Sequence, residues 1–151
     1  MLHQLLLLAL FGMAMAHVEG VVVVYLRKLL GIDHTVPNTI AVEKIPKELI
    51  FIEKTREVAT ILMLVTIALL VGDTWQEQAV IFLWTFAFWD LFYYVSLYIL
   101  IQWPPKLTTM DVLFLIPRPW IAPVWFPIGV SSLTIIVIIY LYTFSILPLG
   151  S

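Results

Sequence analysis

The sequence predicts an all-α fold: a polytopic transmembrane four-helix bundle with an additional short interfacial or re-entrant helix. Two observations lead to this prediction. First, 62% of the 151 residues are hydrophobic and only 12% are charged, whereas a soluble domain keeps roughly a quarter of its residues charged. Second, the chain contains four largely apolar stretches. Each has about 22 residues, the length that a helix needs to cross roughly 30 Å of hydrocarbon.

The four predicted helices are the apolar runs between charged residues or prolines. They cover about residues 5–26, 48–71, 78–101 and 126–147. Because these helices account for more than half of the chain, we expect residues 1–151 to form a single transmembrane domain.

The connection before the fourth helix, together with the first turn of that helix, contains six of the nine prolines, which lack a backbone donor and interrupt helices. Within it Thr109 can cap a short helix, and Asp111 would lie in the first turn, near the positive end of the helix dipole. We therefore predict a short helix over residues 109–116. It is too short to span a membrane, so it would lie at the interface or dip into it.

The basic residues predict the orientation in the membrane. All eight fall on one side of the predicted arrangement: Arg27, Lys28, Lys44, Lys47, Lys54, Arg56, Lys106 and Arg118. By the positive-inside rule this side is cytoplasmic, so both termini and the turn at residues 72–74 are predicted to lie outside.

Several function classes receive no support from the composition. The formal net charge is −2, which does not suit nucleic-acid binding. The absence of cysteine excludes disulfide scaffolds, zinc-thiolate sites and iron–sulfur clusters. There is no glycine-rich phosphate loop and no Gly-x-Ser-x-Gly motif, so kinase-like and hydrolase-like activities are not indicated. The sequence leaves open whether the chain is an enzyme.

The informative residues are ionisable side chains inside the predicted helices. A charge at the centre of a membrane helix raises the free energy of insertion by roughly 2.5 to 3.5 kcal/mol. His17 and Asp90 fall near the middle of their helices. Four more lie further toward the predicted cytoplasmic side: Glu57, Glu19, Arg56 and Glu53. We expect these groups to face inward and to share partners.

Helical spacing predicts which of these groups can meet. On the third helix Asp90 shares a face with Tyr93 and Tyr94, so a phenol could hold its carboxylate. Glu19 is about 200° around the first helix from His17, and the two do not share a face. Two further stripes follow three- and four-residue spacings: Glu53, Arg56, Glu57 and Thr60 on the second helix, and the small residues Gly12, Ala16 and Gly20 on the first.

The leading hypothesis is a divalent-metal site formed by His17, Glu53, Glu57 and Asp90. One imidazole and several carboxylates from three helices suit zinc, manganese or iron, and di-metal helix bundles are built from such residues. Supporting roles are predicted for Glu19, Arg56, Tyr94 and Asp111, the last near a cytoplasmic entrance. The chain lacks the two Glu-x-x-His motifs of those bundles. No haem is expected, because no second histidine lies at the depth of His17.

Two alternatives stay open. The buried acids could relay protons or bind and transport a cation. Otherwise they could form a structural charge network in a non-catalytic accessory subunit of a larger membrane complex, with Arg56 neutralising two acids. The expected partners are the lipid bilayer and either further copies of the chain or a larger membrane complex.

Four strings in the middle half of the chain carry a resemblance: REVAT at 56–60, FWDLFYY at 88–94, WP at 103–104 and DVLFLIP at 111–117. They resemble strings in a family of small polytopic prokaryotic membrane proteins. The resemblance implies a free-standing protein of about this size in a prokaryotic cell membrane. It implies no particular activity.

Overall fold

The computed structural model describes residues 2–33, 35–37 and 45–144, and most of them are helical. The elements follow in the order α1 (Leu2–Leu29), α2 (Lys47–Val71), α3 (Trp75–Ile101), β1 (Met110–Phe114), β2 (Trp120–Pro123) and α4 (Trp125–Thr143). The prediction of a mostly helical chain is confirmed. Residues 145–147, which were predicted to belong to the fourth helix, lie outside the described residues.

Membrane-spanning potential is found in three helices among the described residues: His3–Leu29 of α1, all of α3 and all of α4. Each is long and apolar enough to cross a bilayer, as expected of an integral membrane protein. The 25-residue helix α2 differs because six of its first eleven residues are charged. Its charge-free part, residues 58–71, is about 21 Å long.

The connection between α2 and α3 is a tight turn fixed by a capping box. The Glu77 backbone N–H donates to the Thr74 hydroxyl at 3.3 Å, and the Glu77 carboxylate accepts from the Thr74 N–H at 3.2 Å. The same carboxylate also accepts from the Asp73 N–H at 2.9 Å. Free backbone donors at the start of α3 are thereby satisfied.

Helix α3 is central, since α1, α2 and α4 each pack against it. The contact with α1 uses the predicted stripe of small residues. A Cβ at Gly12 would lie 2.8 Å from the Thr85 carbonyl oxygen, and one at Gly20 would lie 3.1 Å from the Ser96 Cβ. The backbones therefore approach closely along this stripe, as the sequence predicted.

The predicted short helix over residues 109–116 is wrong, and the chain is therefore not all-α. These residues lie in an antiparallel hairpin, in which Asp111 pairs with Ala122 and Val112 with Ile121. Thr109 does not cap a helix, because strand β1 follows it directly, and its carbonyl accepts the Val124 N–H at 3.0 Å. The prolines that stop helices favour extended backbone in the residues before them, and strand pairing satisfies the polar groups of that backbone.

Candidate functional site: a charged cavity beside the hairpin

A cavity of about 110 Å³ lies between α1, α2, α3 and β1, and we call it the charged cavity. It occupies the end of the helices where the hairpin lies. Its charged and phenolic lining residues are Glu19, Arg27, Glu53, Arg56, Glu57, Asp90, Tyr93, Tyr94 and Asp111. The acidic residues of α2 and α3 that the sequence singles out thus line one cavity.

Arg56 joins two helices at this cavity. One guanidinium nitrogen, Nη1, lies 2.6 Å from Glu19 Oε1 on α1, and Nη2 lies 2.9 Å from Glu53 Oε2 on α2. The other Glu19 oxygen accepts the Trp89 indole N–H at 2.9 Å, which adds α3 to the network. Because Glu53 and Arg56 are three residues apart on one helix, their pairing follows from helical spacing. The pairing with Glu19 required the tertiary structure.

Asp90 and Tyr94 do not bond to each other. The Ser131 hydroxyl of α4 donates to Asp90 Oδ2 at 2.7 Å, while the Tyr94 hydroxyl donates to Asp111 Oδ2 at 2.9 Å. The expectation that a tyrosine holds Asp90 is therefore wrong. The reason is the hairpin, which brings Asp111 against α3 and buries it, with 1% of the residue exposed.

Glu57 holds the hairpin to α2. Its two carboxylate oxygens accept the backbone N–H groups of Leu115, at 2.7 Å, and Ile116, at 3.1 Å. These two donors follow directly after β1. No side-chain pattern in the sequence could reveal this contact, because both donors belong to the backbone.

His17 is not part of the cavity lining. It is exposed on the surface of α1, where its Nδ1 lies 3.3 Å from the Ser96 hydroxyl of α3. The other three predicted ligands, Glu53, Glu57 and Asp90, do line the cavity, but each has a different hydrogen-bond partner. In the part of the chain that the structure describes, no three His, Asp or Glu side chains are placed to hold one metal ion.

Arg27 lines the cavity, although in the sequence it serves only as one of the basic residues that predict the orientation in the membrane. Its guanidinium donates to the carbonyls of Asp33 and Val36, both at 2.7 Å, and lies 5.8 Å from the centre of the Trp103 ring. Asp111 adds a favourable charge interaction. Arg27 thus connects the end of α1 to the following loop and to the cavity wall.

The cavity holds carboxylates whose hydrogen-bond donors carry no charge. Two carboxylates of the described lining, Glu57 and Asp90, accept hydrogen bonds from backbone N–H groups and a hydroxyl, which are neutral donors. Asp111 and Glu19 act unfavourably on a negative charge at Asp90. The cavity can therefore attract positive charge.

Comparisons with known proteins add no further information about this site. No protein-family model, curated protein or solved structure matches this chain.

Proposed function

We propose that this chain is a membrane protein that binds a small cation in the charged cavity, either to hold the cation or to relay or transport it across the membrane. The observation that supports this most directly is that two carboxylates of the described lining, Glu57 and Asp90, accept hydrogen bonds from neutral donors and not from a guanidinium group. Uncompensated charge is costly at membrane depth. A cation in the cavity would offset that cost.

The size and walls of the cavity favour a small organic ammonium ion. A cavity of about 110 Å³ compares with the engineered cavity of about 150 Å³ that admits benzene. The aromatic residues Trp89, Tyr93, Tyr94 and Phe114 line it beside the acids, and aromatic faces attract organic cations. A divalent metal is less favoured, because a metal site needs several donors around one point.

The hairpin supports the proposal because it supplies a protein wall to the cavity. Glu57 holds the backbone after β1, and the buried Tyr94–Asp111 hydrogen bond holds β1 itself. Irregular backbone at membrane depth is tolerated where it is covered by protein or lines a polar cavity. The hairpin satisfies that condition.

The test is cation binding to the purified full chain in lipid nanodiscs. Isothermal titration with sodium, methylammonium and tetramethylammonium chlorides, at constant pH and ionic strength, would measure affinity directly. We expect saturable binding of at least one organic ammonium ion. In Asp90→Asn, which removes one negative charge from the lining, we expect binding to be at least about ten-fold weaker, equivalent to about 1.4 kcal/mol.

The matched control is Asp73→Asn. Asp73 is an exposed acid in the turn between α2 and α3, so its neutralisation changes the net charge equally without touching the cavity. Binding should be unchanged in this variant. If none of the three cations binds saturably, or if both variants weaken binding equally, the proposal is wrong.

A second candidate function is that of a non-catalytic accessory subunit whose charges hold the helices together. The observation in its favour is that Arg56 connects Glu19 of α1 with Glu53 of α2. Buried ion networks can specify packing without chemistry. Stoichiometric co-purification of another membrane chain, together with no cation binding, would favour this candidate.

We also propose that the four helices form one bundle in a prokaryotic cell membrane with both termini outside. In support, one hydrophobic cluster draws buried residues from every helix, including Leu8, Ala68, Ile81 and Ile138. The described basic residues Arg27, Lys28, Lys47, Lys54, Arg56, Lys106 and Arg118 belong to the helix ends and connections at the hairpin end. Lys44 lies outside the described residues.

A further inference from the structure

An ionisable side chain lies exposed halfway along a membrane helix. His17 is one residue from the midpoint of the candidate span His3–Leu29, and its side chain is on the outer surface of a single copy. Ionisable residues inside membrane segments almost always face protein or a water-filled cavity, because lipid cannot solvate them. The surface at His17 is therefore expected to be covered by protein.

The residues around His17 permit close packing of another helix. Leu10, Ala14 and Val18 are also exposed and are four residues apart along α1, and His17 lies three residues after Ala14, so the four form one face of α1. Small residues such as alanine let membrane helices approach closely. We call these four residues the α1 outer face.

We propose that the α1 outer face is the interface of a homodimer within the membrane, in which His17 of one copy meets the same residue of the second copy. Two copies that insert in the same orientation place each residue at the same depth. A two-fold axis along the membrane normal then brings identical faces together.

The chemistry of histidine suits such self-pairing. A neutral imidazole carries one donor and one acceptor nitrogen, so two imidazoles can form a hydrogen bond, which two carboxylates or two guanidinium groups cannot do. Nδ1 lies 3.3 Å from the Ser96 hydroxyl, which leaves Nε2 for the partner. Because a hydroxyl can donate or accept, Ser96 can serve both tautomers that the pair requires.

Disulfide cross-linking tests the interface directly, since the chain contains no cysteine. Ala14→Cys would be oxidised with copper phenanthroline in native membranes and the products separated without reductant. The control is Leu133→Cys, an exposed position near the middle of α4. We expect a dimer band for Ala14→Cys that is several-fold stronger than that of the control.

The role of His17 is tested in proteoliposomes by diluting the protein with lipid and measuring the cross-linked fraction. In the Ala14→Cys background, His17→Ala should weaken association by about 3- to 30-fold, as expected for the loss of one interhelical hydrogen bond. His17→Asn, which keeps a donor and an acceptor, should restore it. The proposal is overturned if Ala14→Cys forms no more dimer than Leu133→Cys, or if His17→Ala has no effect. Since His17 is exposed, these variants should fold, and their helical circular dichroism would check this.

Discussion

The carboxylates of the charged cavity differ in the kind of donor that holds them. Glu53 and Glu19 are held by the Arg56 guanidinium, Asp90 by a hydroxyl and Glu57 by backbone N–H groups. Of these donors, only the guanidinium group neutralises the negative charge of a carboxylate. A hydrogen bond from a neutral donor satisfies the oxygen but leaves the negative charge in place, and for this reason the cavity can attract a cation although its acids have partners.

The hydroxyl of Tyr94 is expected to stabilise the fold through Asp111. Tyr94→Phe removes the buried donor at 2.9 Å from the carboxylate, so we expect the free energy of unfolding to fall by about 1.5 to 3 kcal/mol. Titration with sodium dodecyl sulfate in mixed micelles, followed by circular dichroism, would measure the change. Tyr98→Phe is the control, because Tyr98 lies one turn further along α3 with 61% of its surface exposed. Equal stability of the two variants would contradict this assignment.

Helical spacing predicts which side chains pair within one helix but not their partners on other elements. Glu53 and Arg56 meet because three residues along a helix return to nearly the same face. The sequence predicts only a supporting role for Glu19, which does not share a face of α1 with His17. The structure keeps these two apart, as expected, but it is Glu19 that lies in the cavity, since the rotation of α1 against α3 turns His17 outward.

The elements meet most closely where α1 crosses α3. A glycine at position 12 allows this approach, because a Cβ would lie 2.8 Å from a backbone carbonyl that cannot move aside cheaply. We therefore expect Gly12→Ala to lower the free energy of unfolding by about 1 to 3 kcal/mol through overpacking. The measurement is the same detergent titration.

Gly129→Ala is the matched control for this helix contact. Gly129 lies in α4, and a Cβ there meets no atom within 4 Å. Alanine favours helix by roughly 0.5 to 1 kcal/mol over glycine, so this variant should be neutral or slightly more stable. If Gly12→Ala were as stable as Gly129→Ala, close packing of α1 on α3 would be disproved.

The hairpin shows why an element can be misjudged from local signals. Thr109 and Asp111 are suitable residues for the start of a helix, yet the residues that precede Pro117, Pro119 and Pro123 are biased toward extended backbone. Pairing between β1 and β2, together with the Glu57 contact 58 residues away in the chain, satisfies the backbone instead. The prolines predict an interruption between α3 and α4, but they do not predict that a hairpin forms there.

For the whole molecule, the proposed topology makes a prediction about chemical access. Asp73 and Arg118 are both exposed and belong to opposite ends of the helices. In intact cells we expect a membrane-impermeant maleimide to label Asp73→Cys and to leave Arg118→Cys unlabelled until the membrane is permeabilised. The absence of native cysteine removes background labelling. Labelling of Arg118→Cys in intact cells would contradict the proposed orientation.

The sequence predicts four membrane helices, of which three are long and apolar enough in the structure to span a bilayer. It also predicts the helical character of the chain, the stripe of small residues on α1 and the Glu53–Arg56 pair. All of these depend on composition or on spacing within a single helix. The packing of the elements places Glu19 in the cavity, turns His17 outward, and brings Tyr94 to Asp111 and Glu57 to the backbone after β1. These contacts join residues far apart in the chain, and they depend on how each helix is rotated when it packs against α3.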